Sequence, residues 1–404
     1  MATPWLLTVR DEDEARQELR RVGCDPGGIE RMAAKMLGRL VKIPGVSCRA
    51  ANILKQEMLV LGGDAAVARG TVACAHPATD VILIGNQRQL ADLIPRLAVQ
   101  PFGLADLGQA LAGLMAGVTA PATILAGRSC RLDCRRPLIM GILNVTPDSF
   151  SDGGRYVDLA TALQQARRMA AEGADLIDIG GESTRPGASL IGVDEELDRV
   201  MPVVEALRRE SSLPLSVDTN KSAVAREVLA AGAEFINDVS GFGFDPAMAA
   251  TVAEAGGGAF LMHTRGQPET MQSDTAYQDL AGEVLGVLDA SLQQARAAGI
   301  PAEKLAIDPG IGFGKDAAGN LELLRRLPEL LSLGRPVLLG TSRKRFIGRI
   351  LDQPDPCRRL NGTLATVALG VAGGARIFRV HDVGPARETA LTAWAVISGE
   401  IDRQ

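Results

Sequence analysis

From about residue 138 onward, short continuously apolar runs alternate with longer segments of helical period, and the alternation repeats eight times. The predicted strands are 138–144, 176–180, 214–218, 234–238, 259–263, 305–308, 336–340 and 375–380. Each stays apolar up to a polar end, as a strand buried on both faces does. The segments between them are amphipathic: over 158–172, Leu159, Leu163, Ala166 and Met169 or Ala170 fall on one helical face. Gly173, Gly232, Gly256, Gly299 and Gly373 lie near predicted helix ends, where a left-handed cap can precede the next strand. Residues 383–398 supply an eighth helix.

Strand and helix alternating in this number predict parallel pairing, and eight units close a barrel. A doubly wound open sheet is the structural rival. The polar residues decide between them, because they recur at the carboxyl ends of many strands: Asn144, the 182–185 loop, Asp218, Asn237, Asp308, Lys344, Arg379 and His381. An open sheet gathers its ligand at one switch point. A barrel brings every carboxyl end to one mouth.

Ahead of the barrel the pattern differs. Helical periods run through 12–21, 29–41, 50–61 and 87–97, with an extended 80–84, and predict a small α/β domain. A basic, polar stretch at 127–137 interrupts the apolar pattern and reads as a linker. The expected organisation is therefore an α/β chain: a smaller amino-terminal α/β domain over 1–127, a linker over 128–137, and a (β/α)8 TIM barrel over 138–404.

Composition narrows the function classes. The 404 residues are 46% apolar and 23% charged, which is the balance of a globular protein. Aromatic residues make up only 3%, leaving few stacking platforms for bases, and the net charge of -5 opposes broad binding to a phosphate backbone. No nucleic-acid partner is expected. No run of about twenty uncharged apolar residues predicts a membrane span. The amino terminus has an apolar patch without a basic segment ahead of it, and Asp11 to Glu14 follow, so no signal peptide is read there. The six cysteines are scattered and expected to be reduced thiols in a cytoplasmic protein. Cys130 and Cys134 form the only close pair, with no second pair or nearby histidine to complete a zinc site.

Taken one at a time, the polar strand ends have structural explanations. Asp218 could cap the next helix, Asn237 and Asp238 could be turn residues, and Asp308-Pro309-Gly310 could be only a turn. Arg343, Lys344 and Arg345 could form a solvated patch. His263 ends an apolar strand and reads as a hydrogen-bonded core or rim residue rather than a metal ligand, and His76 as a surface residue. Together they describe something more specific. Carboxylates and amides suit the donor and acceptor edge of a bicyclic heteroaromatic, while Lys344, Arg379, His381 and Arg185 offer positive charge to a phosphate group. No Walker or dinucleotide fingerprint competes for that anion. The residues thus point to an enzyme that holds a polar heterocycle and an anionic leaving group, without naming the substrate.

The run MGILNVTPDSFSDGG at 140–154 resembles the first signature of the dihydropteroate synthases, and DIGGESTRPG at 178–187 resembles the second. SVDT at 216–219, INDVSG at 236–241, DPGIGFGK at 308–315, SRK at 342–344 and RVHDV at 379–383 follow in that family's order. The resemblance spans roughly 138–399. It implies that p-aminobenzoate displaces pyrophosphate from a dihydropterin diphosphate, with Mg2+ as cofactor. By motif position, Asp218, Asn237, Asp308 and Lys344 would hold the pterin. Asn144 would ligate Mg2+ together with the diphosphate. Arg379 and His381 would grip the diphosphate, joined by Arg185, and Asp218, Lys344, Arg379 and His381 would form the catalytic group. Thr184, Pro186, Phe150 and Ser342 would shape the p-aminobenzoate pocket.

By analogy the family also implies a homodimer. Two other readings remain: a methyltetrahydrofolate-dependent corrinoid methyltransferase, which needs no diphosphate grip, and a non-catalytic pterin-binding protein. The amino-terminal third lies outside the resemblance. Its most distinctive segment, 51–66, reads as an amphipathic helix with a glycine cap, and the domain is expected to be an accessory one that packs on the barrel or aids assembly.

Overall fold

The computed structural model describes residues 3–146, 155–183, 190–267 and 270–400, with the side chains of 155–158 excepted. The chain divides into two compact units, Met1–Ala116 and Gly117–Gln404.

In the first unit, helices α1 (Glu12–Val22) and α2 (Pro26–Met32) precede strand β1 (Gly38–Ser47). Helix α3 (Cys48–Val60), strands β2 (Asp64–Val67) and β3 (Ala78–Asn86), and helices α4 (Gln87–Leu97) and α5 (Leu104–Thr119) follow. The strands make an antiparallel sheet in the order β1-β3-β2. Its core joins Ala51, Leu54 and Met58 of α3 to Val81 and Leu83 of β3 and Leu90, Leu93 and Leu97 of α4. Helix α4 occupies the expected residues because Asn86 and Gln89 close a capping box at its start. The helix expected over 29–41 stops early: α2 ends at Met32, a tighter turn carries on to Lys35, and β1 begins at Gly38. Gly38 is a poor helix former, and Leu40 and Val41 instead pair with Ile84 and Leu83 of β3. Pairing in the sheet overrides a helical spacing of apolar residues, and Leu40 is left mostly exposed on the sheet's outer face.

The second unit opens with a hairpin, β4 (Ile124–Ala126) and β5 (Arg131–Asp133). The stretch read as a linker therefore carries a strand. Its turn is fixed by Glu234, whose carboxylate accepts from the backbone N–H and hydroxyl of Ser129 (2.6 Å for the N–H) and from the N–H of Cys130 (3.3 Å). The hairpin buries Leu125, Leu132 and Cys134 with Leu138, Leu176, Phe235, Phe260 and Ala306, residues at or near the amino-terminal ends of barrel strands. Leu132 and Cys134, two positions apart, face this cluster while Arg131 and Arg135 stay exposed. That alternation is what a basic "linker" concealed.

Eight parallel strands follow: β6 (Leu138–Asn144), β7 (Leu176–Gly180), β8 (Leu215–Asp218), β9 (Phe235–Asp238), β10 (Gly258–Met262), β11 (Leu305–Asp308), β12 (Leu338–Leu339) and β13 (Ile377–Val380). Their order is β11-β10-β9-β8-β7-β6-β13-β12, and a parallel bridge between Ile307 and Val337 joins the two ends. The sheet is thus closed as a TIM barrel. Around it run α6 (Arg155–Ala171), α7 (Val193–Glu210), α8 (Ser222–Ala230), α9 (Met248–Ala255), α10 (Leu280–Ala297), α11 (Ala317–Arg325), α12 (Arg345–Ile350), α13 (Leu360–Ala372) and α14 (Val383–Ser398). Among the described residues no helix is long and apolar enough to cross a membrane.

The period of two sorts each strand. Ile139, Leu143, Ile177, Ile179, Val217, Ile236, Leu261, Ile307, Leu339 and Phe378 face the helices, in the large cluster between sheet and helices. Their neighbours in sequence face the barrel axis. Along the axis the character changes from Leu176 to Asp178, from Phe235 to Asn237, from Ala306 to Asp308 and from Ile377 to Arg379. The barrel is apolar at its amino-terminal end and polar at its mouth.

Candidate active site at the barrel mouth

Parallel register brings the inward polar residues together from strands far apart in sequence. Arg379 on β13 donates from Nε to Asp178 Oδ2 on β7 (2.6 Å) and from Nη2 to Asp218 Oδ2 on β8 (2.8 Å). Asn237 on β9 donates from Nδ2 to the same Asp178 oxygen (3.0 Å). One guanidinium and one amide thus tie four strands into a single network. Arg379 does not stand free toward an incoming diphosphate: Nε is committed to Asp178 and Nη2 to Asp218, leaving Nη1. Burial opposes its charge, and the two carboxylates outweigh burial, so its pKa lies above the usual arginine value.

Asp218 is pushed up to about 7: burial disfavours its charge, Arg379 offsets part of that, and Asp178 adds repulsion. Asp308, at the end of β11, is also raised by burial, against the backbone N–H of Gly310 (2.7 Å) and the charge of Lys344. Lys344 follows β12 and is lowered to about 8, first by burial. Its Nζ lies 4.2 Å from the ring centre of Phe313, and its stem passes Gly312, where a β-carbon would come within 3.1 Å of Cδ. Gly340 keeps open the space between Asp308 and Arg379: a β-carbon there would stand 3.8 Å from Asp308 Oδ2 and 4.0 Å from Arg379 Cβ. Acid, amide and ammonium groups therefore line a mouth whose floor is apolar, an arrangement that can bind a flat heterocycle edge-on through donors and acceptors.

At the rim beside β12 and β13, His381 Nδ1 is 2.9 Å from Ser342 Oγ, which also accepts from the His381 backbone N–H (3.2 Å). Arg343 pairs with Asp382 (2.6 Å) in a left-handed backbone conformation, so the basic triplet 343–345 is not one solvated patch: Arg343 is tied down, Lys344 turns to the mouth, and Arg345 is exposed. Asn144 ends β6 half-buried, and its Oδ1 would lie 3.5 Å from a β-carbon on Gly180. Phe150, Thr184, Arg185 and Pro186 lie outside the described residues.

His263 is a core residue, pushed down to about 3 by burial, with Nδ1 2.8 Å from Lys315 Nζ. Lys315 also donates to the carbonyls of Gly310 (3.0 Å) and Phe313 (2.8 Å), fixing the turn that follows Asp308. A second charged cluster lies behind β7: Lys221 donates to Glu196 Oε2 (2.6 Å) and Glu182 Oε2 (3.0 Å), while Glu182 Oε1 accepts from the backbone of Ile191 (2.7 Å). His76 is exposed, as its sequence context predicts.

Asp178, Glu196 and Lys221 carry no role assigned from the sequence, and Glu182 was marked there only as part of the 182–185 loop at a strand end. Asp178 was legible in parity, since it shares its strand face with Leu176 and Gly180 and is the one acid in that column. Glu196 and Lys221 become partners only through the packing of α7 against the loop before α8.

The chain matches the pterin binding enzyme family over residues 140–381. It is 53% identical over 249 residues to the dihydropteroate synthase of a Synechocystis strain, covering 62% of this chain and 86% of that one. A crystal structure of Xanthomonas albilineans dihydropteroate synthase with 4-aminobenzoic acid superposes with a TM-score of 0.65 at 45% identity, over 69% of this chain and 100% of that one. A probable bifunctional folylpolyglutamate synthase/dihydropteroate synthase of Halobacterium salinarum is 42% identical over 386 residues. That match takes in 94% of this chain, so it extends into the first unit, and 46% of the relative.

Proposed function

This chain belongs to the pterin binding enzymes, with the dihydropteroate synthases as its relatives, and from that membership we propose how its own residues carry out the reaction. The barrel is a transferase that condenses 6-hydroxymethyl-7,8-dihydropterin diphosphate with p-aminobenzoate. The aniline nitrogen forms a bond to the methylene carbon, the bond from that carbon to the diphosphate oxygen breaks, and the nitrogen gives up one proton. The products are 7,8-dihydropteroate and pyrophosphate.

The observation that carries the residue assignment is the ring of inward polar groups at the mouth, from Asp218 and Asn237 across to Asp308 and Lys344. Asp218 and Asp308 take the amino and ring N–H donors of the pterin, Asn237 adds an amide contact, and Lys344 donates to its carbonyl side. Positive charge builds on the pterin methylene as the diphosphate departs, and Asp218, where ionised, opposes it electrostatically. His381, oriented by Ser342, and Arg379 through Nη1 face the charge that grows on the leaving group. With an aniline nitrogen as nucleophile, no strong base is required.

A Mg2+ ion fits this donor set in one way. Among the described residues no group of three acidic, histidine or cysteine side chains could cage a metal. Mg2+ habitually takes few protein oxygens and several from phosphate or water, so Asn144 would offer an amide oxygen to an ion that arrives with the diphosphate and neutralises its charge. Thr184, Pro186, Phe150 and Ser342 complete the p-aminobenzoate side and Arg185 joins the diphosphate grip, as the family motifs imply.

The decisive experiment supplies purified protein with both substrates and Mg2+ and measures pyrophosphate release and dihydropteroate formation. Stoichiometric formation of the two supports the assignment, and release of neither would sink it. For the rest of the chain the proposal is an accessory role for residues 1–127 and a homodimeric enzyme in the cytoplasm. A protein starting at Leu132 with unchanged kinetics and unchanged mass by light scattering would remove the first, and a monomer at micromolar concentration the second.

A further inference from the structure

We infer that Asp178 is a positioning residue for the pterin ring, one carboxylate oxygen fixing both the amide of Asn237 and the guanidinium of Arg379 in the orientations the ring meets. The inference rests on the assignment of Asn237 to the pterin. It goes further in naming what makes that residue an acceptor toward the ring.

Asp178 is the third residue of β7, fully buried, on the inward parity of the strand. Its Oδ2 receives Asn237 Nδ2 at 3.0 Å and Arg379 Nε at 2.6 Å. Asp178 Oδ2 accepts from Arg379 Nε as well and so has no proton to offer the amide, which must turn its nitrogen to Asp178 and its carbonyl oxygen away. Without Asp178 the two ends of the Asn237 amide are nearly equivalent in shape, and either could face the mouth. With it, Asn237 presents an acceptor, the complement of a ring N–H.

The same oxygen sets the plane of the Arg379 guanidinium. Nε is held by Asp178 and Nη2 by Asp218 at 2.8 Å, and two contacts on different strands leave the planar group no free rotation. Fold stability alone does not account for an acid here. Asp178 Oδ1 is buried with no hydrogen-bond partner among the described residues, a cost that a well-packed apolar side chain would not carry. Such a cost is kept where orientation matters more than stability.

The test is a double-mutant cycle with Asp178→Ala, Asn237→Ala and the double variant. It reads the dissociation constant of 6-hydroxymethylpterin by calorimetry and the KM of each substrate. Asp178→Ala should weaken pterin binding by about tenfold or more and leave the KM for p-aminobenzoate within about twofold. In the double variant the two losses should multiply to clearly less than their product, because Asp178 acts in part through Asn237. Asp178→Asn keeps the side-chain shape and one acceptor oxygen, and should show an intermediate pterin loss at near wild-type folded fraction; it carries the test should the alanine variant fail to fold. Losses that multiply in full, or that strike both substrates equally, would overturn the inference. Unchanged pterin affinity in Asn237→Ala would overturn it one step earlier, at the placement of the pterin itself.

Discussion

Asp218 should be a stability liability that the enzyme carries for its function, and Asp218→Asn exposes it. The carboxyl sits inward at the end of β8 with 8% exposure, and burial pushes it up to about 7 from an ordinary 3.8. Above pH 7 the group is ionised in both folded and unfolded chains, and the fold bears the whole cost of that ionisation. Below 3.8 it is neutral in both and costs nothing. Between the two values the folded chain keeps a proton that the unfolded chain has released, so stability falls as pH rises through the window. The shift of about three pH units corresponds to about 4 kcal/mol at most. Its favourable pairing with Arg379 is already contained in that net figure.

Asparagine keeps an oxygen to accept from Arg379 Nη2 and cannot ionise. The variant should therefore be more stable than the parent by up to about 4 kcal/mol at pH 8 and by less than about 2 kcal/mol at pH 5, where the parent carboxyl is already protonated in the fold. Urea unfolding of both proteins at the two pH values measures this. A variant no more stable than the parent at pH 8, or a gain equal at both pH values, refutes the reasoning. Activity should move the other way, with kcat/KM falling by about a hundredfold or more.

Four further outcomes follow from the same geometry. Lys344→Met preserves bulk but removes the largest of the positive charges that compensate Asp308, and should raise the KM for the pterin diphosphate by about a hundredfold while sparing that for p-aminobenzoate; equal effects on both substrates would contradict the assignment. Because Lys344 is lowered to about 8 and its charge is required, kcat/KM should decline on the alkaline side with half-loss near pH 8, and a profile flat to pH 10 would exclude that requirement. Lys221→Ala leaves the fully buried Glu196 unpaired and should cost about 3–5 kcal/mol in urea unfolding at pH 8; a loss under about 1 kcal/mol would show the cluster to be solvated. Gly310→Ala would set a β-carbon 1.9 Å from the carbonyl oxygen of His263 at a φ of +67°, and should destabilise by about 2–5 kcal/mol, which thermal unfolding would register.

Particular elements show how far the sequence could be read. Barrel strands were located to within one or two residues because both their faces are buried, and an uninterrupted apolar run then has one reading. The same clarity failed at 29–41, where apolar spacing fitted a helix but a glycine and an available neighbour strand made a sheet. It failed again at 127–137, where arginines on one side of β5 hid Leu132 and Cys134 on the other. At the barrel mouth, Asp218, Asn237, Asp308, Lys344, Arg379 and His381 were marked in the sequence by their positions at strand ends, and Ser342 by motif resemblance alone. Phe150, Thr184 and Pro186 take their roles from motif resemblance alone, and Arg185 also from its charge in the 182–185 loop. Asp178 escaped because it stands two residues short of its strand end, where an isolated acid reads as part of a signature rather than as a partner.

What the sequence determined by itself was local: the alternation of buried strand and amphipathic helix, the closing of eight such units, and the chemical types of residue gathered at one end. Those follow from hydrophobic period and from the rule that parallel strands share a carboxyl end. What the tertiary structure decided was pairing. Arg379 lies 201 positions from Asp178 and 161 from Asp218, and nothing along the chain marks these carboxylates, rather than a leaving phosphate, as the partners of its Nε and Nη2. Barrel closure and strand register set those distances, and with them the raised pKa of Asp218 and the orientation of Asn237, because electrostatic and hydrogen-bond energies depend on separation in space and not along the sequence.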